Sequence, residues 1–456
     1  MHNDAAPKRQ LSLFDTTSII VGIVVGGGLY ETIPRVAANT ADTASLYGLW
    51  IIGGLFALFG SMCYAELATA YPCDGGEYVY LTRAFGKRLG FLYSWTQFWI
   101  IRPASVGAIA YIYGGYIHRI APLGKLDFSI ALHAVAAVVG ISLLNFLGLR
   151  EGKWTQNALT GAKVAGLLLL AVGCLLSPAV ESSAISGGSA DTPATYDGSL
   201  SLALIFVMFA YGGWNDMPLV AAEVRDPNKN LSRSLILGSL GIAAVYLLVN
   251  WAFVHLLGFS AVQSSSTVGA AALDRVLGRF GEAAFSLLVA ISCLGAIQGM
   301  LFTGARIYYV TGVDHPLFAW LGRWDERSQS PQRAWLVQAL LTLLLTAGVG
   351  WRGGQQGFDR ALAISAAPFW FFIVLSIAAL PILRYRDAAT ERPYRVPGYP
   401  FIPLIFFSIS AWMFWSSIDY ARHTALREAQ GALILVLVGL VVGHFSSQRL
   451  GSHRSA

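Results

Sequence analysis

Long apolar stretches recur along the whole chain, and this pattern limits the fold more than any other feature of the sequence. Twelve stretches approach the ~20 residues that a helix needs to span a bilayer. These spans 1 to 12 lie at residues 13–38, 45–71, 88–117, 128–147, 156–177, 200–222, 232–258, 281–305, 334–350, 357–383, 401–419 and 429–446. Only 12% of the 456 residues are charged, about half the fraction of soluble globular proteins. The sequence therefore predicts an all-α membrane protein with twelve transmembrane helices.

Lys and Arg residues are distributed unequally between the loops on the two sides of the membrane. With both termini cytoplasmic, the tails and loops on that side hold 20 of the 31 Lys and Arg residues, and the outer loops hold 8. Cytoplasmic loops of membrane proteins carry such an excess. We therefore expect cytoplasmic tails at residues 1–12 and 447–456 in a protein of the cell membrane. The distribution explains the net charge of +6 without a nucleic-acid partner. No cleavage site follows an apolar core near residues 1–10, so span 1 is expected to be an uncleaved helix.

Two spans carry interruptions that a simple membrane helix would not need. Span 1 runs into three glycines at 26–28, with Pro34 downstream, and span 6 runs into two glycines at 212–213, with Pro218 downstream. Glycines also allow close helix packing in membranes, but a second break five spans later favours a functional interpretation. Transporters built from two inverted repeats hold their substrate between discontinuous helices near the midplane. The expected repeats are residues 13–177 and 200–383, with residues 401–446 forming two peripheral helices.

A pair of broken helices has a chemical preference of its own. Where the second half of span 1 begins, unsatisfied amides and the positive end of a helix dipole point at the break. A carboxylate is a natural ligand for such an end, and the carbonyls at the end of the first half suit an ammonium group. The breaks therefore favour a zwitterionic ligand such as an amino acid.

Short motifs in order along the chain carry a family resemblance. They are Cys-Tyr-Ala-Glu-Leu at 63–67 with Gly-Gly-Glu-Tyr at 75–78, Ile-Ile-Arg-Pro at 100–103, Phe-Ala-Tyr-Gly-Gly-Trp-Asn at 209–215 with Glu223 and Asp-Pro-Asn-Lys-Asn at 226–230, Ser-Cys-Leu-Gly at 292–295 with Leu-Phe-Thr at 301–303 and Arg306, and Glu-Arg-Pro-Tyr-Arg-Val-Pro at 391–397. Over nearly its whole length the chain resembles the amino acid–polyamine–organocation superfamily, and within it the L-type amino acid transporter branch.

The resemblance implies a set of substrate-binding positions. These positions are Val24, Gly26, Gly27, Gly28, Phe209, Gly212, Gly213 and Asn215. The substrate carboxylate would lie on the amides of residues 26–28, and its ammonium would face carbonyls near Val24, Phe209 and Gly212. Phe209 would close over the substrate as a lid, and Asn215 would help to hold the break in span 6.

The resemblance also assigns Lys163, in span 5, to the place where sodium-coupled relatives hold their cation. The lysine would tie span 1 to spans 5 and 8, with Ser292 or backbone carbonyls as its partners on span 8. This implies sodium-independent transport.

Two departures from the family pattern are Gly27, where a small polar residue is usual, and the longer spacing between Gly28 and Pro34. Eukaryotic members join a glycoprotein through a cysteine after span 3. Residues 118–127 contain none, so no disulfide-linked partner is expected.

Two acids follow the breaks directly, and both leave alternatives open. Ionisable groups at membrane depth are costly and usually functional. Glu31 is a candidate for selectivity or proton binding, or it forms an ion pair with Arg35, four residues away on the same helix. Asp216 is a similar candidate, or it caps the second half of span 6. We interpret Arg102 as a gate or scaffold partner.

The sequence shows no motif for catalysis, a metal or a cofactor. Three of the four cysteines (Cys63, Cys174 and Cys293) lie inside spans, and no Cys–His spacing indicates a metal. No phosphate-binding loop of an ATP-driven pump is present. The favoured function is secondary active transport of amino acids, as an exchanger or a proton symporter. The alternatives are an amino acid sensor that does not move its ligand and a transporter of polyamines or cationic substrates.

Overall fold

The fold of the chain is entirely helical where a computed structural model describes it, at residues 7–145, 149–178, 199–265, 267–350 and 353–452. In these ranges there is no strand, and β contacts are limited to two isolated bridges. The helices are α1 (Leu13–Val24), α2 (Gly28–Ala38), α3 (Thr43–Ala70), α4 (Glu77–Phe85), α5 (Lys87–Thr96), α6 (Arg102–Ile120), α7 (Leu126–Asn145), α8 (Leu149–Leu176), α9 (Leu200–Ala210), α10 (Pro227–Leu257), α11 (Phe259–Ser264), α12 (Val268–Leu277), α13 (Gly281–Asp314), α14 (Gln332–Gly350), α15 (Gly357–Arg386), α16 (Phe401–Thr424) and α17 (Leu426–Ser452).

Ten helical segments in the described ranges are long and apolar enough to cross a membrane, and eleven if α1 and α2 are counted as one bent span. The prediction of an all-α membrane protein is therefore confirmed, whereas the count of twelve stays a prediction. The predicted span 88–117 is not among the ten. It is divided by a π-helical turn at Gln97–Ile101. Pro103, which has no N–H for the normal helical bond to Trp99, follows this turn.

The predicted terminal tails are described only in part. Residues 1–6 of the predicted tail 1–12 and residues 453–456 of the predicted tail 447–456 lie outside the described ranges. The last helix, α17, continues to Ser452, which is six residues past the predicted end of span 12. The predicted cytoplasmic location of both tails stays a prediction.

The first predicted break separates α1 from α2. The two helices meet at an angle of 47°. At the junction the Gly26 amide donates to the Val24 carbonyl at 2.8 Å, so the regular helical ladder stops there. The leading amides of α2 have no preceding turn to bond.

The second predicted break follows α9. Gly213 has a φ of +113°, and a Cβ at this position would lie 2.6 Å from the Cγ2 atom of Ile23. Only glycine therefore fits both the backbone conformation and the close approach of α1. The chain continues as a 3₁₀ helix, Trp214–Glu223, which contains Pro218. The second half of span 6 is thus wound more tightly than the α-helix we expected.

A buried ion pair anchors the end of this 3₁₀ helix to α13. Arg306 donates to both carboxylate oxygens of Glu223, at 2.7 and 3.1 Å, and both side chains are fully buried. Asp74, between α3 and α4, accepts a bond from the Ala222 amide. Burial raises the pKa of the Asp74 carboxyl to about 8; the Glu223 carboxylate adds to this shift and Arg306 opposes it.

Removing one partner of this pair is expected to destabilise the fold strongly. Glu223→Gln leaves the Arg306 charge buried without its counter-ion, which costs about 3–5 kcal/mol. The thermal midpoint of the detergent-purified protein should fall by several degrees or more. Glu326→Gln, an exposed acid in the segment between α13 and α14, is the matched control and should melt like the wild type. Equal melting of all three proteins would contradict this view of the pair.

Candidate binding cavity between the broken helices

A cavity of about 100 Å³ lies where the two breaks face each other. Its wall combines the backbone of both breaks with side chains from α6, α13 and α15. The lining residues are Ile23, Val24, Gly26, Gly28, Gln97, Ile101, Arg102, Ser105, Ile109, Ile205, Met208, Phe209, Ala210, Gly212, Gly213, Asn215, Asp216, Met300, Leu362, Ser365, Ala366, Phe369 and Trp370. A site of this kind, mostly apolar with a few polar groups, is typical for a small ligand.

Most of the predicted site residues meet at this cavity. The lining includes Val24, Gly26, Gly28, Phe209, Gly212, Gly213, Asn215 and Asp216. Three predicted residues, Gly27, Glu31 and Lys163, are not part of it. The structure therefore brings the two breaks together at one place. The roles assigned to individual residues there stay predictions.

Gly28 and Gly27 face different neighbours. A Cβ on Gly28 would lie 2.9 Å from the ring of Phe209, whereas a Cβ on Gly27 would lie 2.4 Å from the sulfur of Cys293 and 2.7 Å from Ile112. The Phe209 ring in turn packs edge-on against Phe358, with 5.3 Å between the ring centroids. Gly28 thus leaves room for the ring above the cavity, and Gly27 leaves room for α13 and α6.

Some of the carbonyls predicted to face a ligand already accept bonds within the protein. The Val24 carbonyl accepts from the Tyr246 hydroxyl at 2.7 Å in addition to the Gly26 amide. The same hydroxyl contacts the Ala210 carbonyl at 3.0 Å. Tyr246 of α10 therefore lies between the last carbonyls of α1 and α9 and joins the two breaks. The Phe209 carbonyl accepts from the Gly212 amide at 3.1 Å.

Lys163 lies behind the first break, fully buried in α8. Its ammonium donates to the carbonyls of Gly22, Val25 and Ser292 at 2.7, 3.0 and 3.1 Å. The contact on α13 is thus a backbone carbonyl, while the Ser292 hydroxyl lies 3.2 Å from the hydroxyl of Tyr30. The lysine joins α1, α8 and α13 at the point where α1 ends.

Asp216 forms an ion pair across the cavity wall. Arg102 donates to both of its carboxylate oxygens, at 2.5 and 2.9 Å, and the Thr303 hydroxyl donates to it at 3.0 Å. The N-cap position of the 3₁₀ helix is occupied by Gly213, which makes no side-chain cap bond, so the capping alternative for Asp216 is wrong. Arg102 and Asp216 are the charged side chains in the lining, and each neutralises the other.

Asn215 reaches a buried acid whose importance the sequence did not reveal. Its amide donates to Glu77 at 2.9 Å, and the same carboxylate accepts from the hydroxyls of Tyr64 at 3.2 Å and Tyr93 at 2.9 Å. Glu77 is 1% exposed. The Gly-Gly-Glu-Tyr motif at 75–78 marked the segment, but its partners come from α3, α5 and the second break, which spacing alone does not connect.

Glu31 lies in a second cavity, lined by Arg35 and Arg119 among others. Arg35 donates to Glu31 at 2.8 Å and to Asp359 of α15 at 2.5 Å. The ion-pair alternative for Glu31 is therefore present in the structure, and Asp359 extends it to a three-residue cluster. Whether Glu31 also influences selectivity or proton binding stays a prediction.

Comparisons with known proteins identify the family of the chain. A family model described as amino acid permease matches residues 11–442. The chain is 24% identical to the serine/threonine exchanger SteT of Bacillus subtilis over 96% of its own length and 97% of the relative. It is 28% identical to the mouse b(0,+)-type amino acid transporter 1, over 90% of this chain and 83% of the relative. It is 29% identical to the human cystine/glutamate transporter, over 88% and 78%.

The matched region contains all the helices from α1 to α16, both breaks and the cavity between them. The family model therefore matches the fold as a whole and not one short segment. The chain belongs to the amino acid permease family.

Proposed function

We propose that the chain is a secondary active transporter that moves amino acids across the cytoplasmic membrane by alternating access. The observation that carries the proposal is the cavity lined by the backbone of two helix breaks. Interrupted helices at membrane depth are tolerated where they line a cavity, and amides at a helix start bind carboxylates. Relatives named as amino acid transporters or exchangers support the same conclusion.

The proposed architecture is two inverted repeats of five spans followed by two peripheral spans. In the first repeat the spans are α1 with α2, then α3, α5 with α6, α7 and α8. In the second they are α9 with Trp214–Glu223, then α10, α13, α14 and α15. Both repeats begin with a broken span, and both have short helices between the second and third spans: α4 in one, α11 and α12 in the other. The peripheral spans are α16 and α17, and both termini are cytoplasmic.

The substrate carboxylate is proposed to lie on the first amides of α2, with Phe209 covering it. Gly28 supports this because its missing side chain is what allows the Phe209 ring to approach α2. The ammonium group binds the carbonyl ends of α1 and α9. Since the Tyr246 hydroxyl contacts two of those carbonyls and donates its one hydrogen there, substrate binding is proposed to include a change in the bonds of Tyr246.

Transport is proposed to be independent of sodium. The Lys163 ammonium already donates to three carbonyls at the end of α1 and on α13, where it supplies the charge that a bound cation would bring. Exchange is favoured over proton symport because the Bacillus subtilis relative is named an exchanger. The transporter is also proposed to work without a disulfide-linked second subunit, since residues 118–127 contain no cysteine.

Gly28→Val tests the binding site. The valine side chain would push into the Phe209 ring over the start of α2, so counterflow into proteoliposomes should fall at least tenfold for every labelled amino acid that the wild type carries. Gly161→Val is the matched control, because a Cβ at Gly161 has no neighbour within 4 Å. Both variants should elute as folded protein in detergent. Normal counterflow by Gly28→Val would refute the proposed position of the substrate.

Lys163→Ala tests the proposed cation substitute. The change leaves three carbonyls without their common donor, so we expect most of the transport rate to be lost. Wild-type uptake should be the same in sodium and choline buffers at matched pH. Lys153→Ala is the control on the same helix: Lys153 lies 3.5 Å from Asp15, and a quarter of its side chain is exposed. A tenfold stimulation of the wild type by sodium would rule out the role of Lys163.

A further inference from the structure

A π-helical turn forms one wall of the cavity. In the turn Gln97–Ile101 the Arg102 amide donates to the Gln97 carbonyl, five residues earlier instead of four. Such turns are frequent at functional sites. Because of this wider turn, Gln97 and Arg102 both line the cavity, and Ser105 continues the same wall.

The side-chain amide of Gln97 has a fixed orientation. The hydroxyl of Tyr93 donates its one hydrogen to the Glu77 carboxylate at 2.9 Å. The Tyr93 oxygen is therefore available to Gln97 only as an acceptor, and it lies 3.1 Å from the Gln97 Nε2 atom. A carbonyl oxygen in that place would face another acceptor. The bonds of Glu77 thus decide which end of the Gln97 amide meets Tyr93.

This orientation leaves an acceptor without a donor. Gln97 is 3% exposed, and its Oε1 atom has no hydrogen-bond partner within the described ranges. Buried polar groups are nearly always bonded, and a native exception calls for an explanation. Since Gln97 lines the cavity, a bound ligand is the natural source of the missing donor.

We propose that Gln97 Oε1 accepts a hydrogen bond from the side chain of the substrate, and that the substrate class is small amino acids with a side-chain hydroxyl. This inference rests on the proposed function. Arg102 and Asp216, the charged side chains in the lining, compensate each other's charge, so neither offers an uncompensated charge to a charged substrate side chain. The cavity of about 100 Å³ is smaller than the about 300–1,000 Å³ of typical ligand pockets, which favours a short side chain with a hydroxyl over a longer carboxamide.

A ligand series tests the direction of this bond in the wild-type protein. L-serine, L-alanine and 3-fluoro-L-alanine are compared as competitors of labelled L-serine counterflow in proteoliposomes. Fluorine is similar in size to a hydroxyl but cannot donate. Serine should compete about fivefold better than alanine, the ratio expected for one neutral hydrogen bond, and fluoroalanine should be no better than alanine. Equal competition by serine and fluoroalanine would overturn the proposal.

Gln97→Met removes the acceptor while keeping the length of the side chain. The ratio of serine to alanine apparent affinities should fall to about one, because only serine loses a hydrogen bond to the Gln97 side chain. The matched control is Gln298→Met on α13. Gln298 is also buried, and its Nε2 is bonded to Asn145 and Gly152. Its Oε1 has no partner among the residues that the structure describes, but Gln298 does not line the cavity. The control should keep the wild-type ratio.

The two proposals fail in different ways. If Gln97→Met weakens serine and alanine equally, or leaves the ratio unchanged, Gln97 has a structural role and the substrate inference is wrong. If the variant does not fold, the ligand series still decides. If the wild type carries alanine as well as it carries serine, the proposed transport function is supported, and the proposal that Gln97 binds a substrate hydroxyl is wrong. Absence of counterflow with every amino acid would refute the proposed function itself.

Discussion

The contact between Lys163 and the end of α1 is the interaction on which the rest of the site depends. A helix that stops inside a membrane leaves carbonyls with no water to satisfy them. The Lys163 ammonium donates hydrogen bonds to the carbonyls of Gly22 and Val25 at the end of α1, and to the carbonyl of Ser292 on α13. The Tyr246 hydroxyl, which has one hydrogen to donate, lies within hydrogen-bond distance of the carbonyls of Val24 and Ala210. These bonds satisfy backbone groups beside the unwound residues 25–27, next to the cavity.

The polar groups inside the cavity are organised around a second centre, the Glu77 carboxylate. It accepts bonds from Asn215, Tyr64 and Tyr93, all of them neutral donors. Asn215 fixes the segment after the second break, and Tyr93 fixes the orientation of Gln97. One buried acid therefore sets both the shape of the break and the hydrogen-bonding character of the opposite wall. A change in the bonds of Glu77 would alter both together.

The parts of this structure that local chemistry determines were predictable from the sequence. Glycine runs followed by proline located both breaks, and the family resemblance indicated Lys163. The partners were not predictable, because they are far apart in the chain: Arg102 and Asp216 are separated by 114 residues and Arg35 and Asp359 by 324. The π-helical turn was also missed, since Pro103 indicates a disturbance of the helix but not its form. Gln97 shows no signal in the sequence, as its role depends on a bond to Tyr93 that only the fold brings about.

The ion pairs on the two sides of the cavity differ in what it costs to separate them. Arg35 contacts Glu31 and Asp359 with about 30% of each side chain exposed, so water already solvates part of these charges. Arg306 and Glu223 are fully buried, and parting them without new partners costs several kcal/mol. Separating Arg35 from Asp359 therefore costs less free energy than separating Arg306 from Glu223. A conformational change that keeps the Arg306–Glu223 pair intact has to move the end of the 3₁₀ helix together with α13.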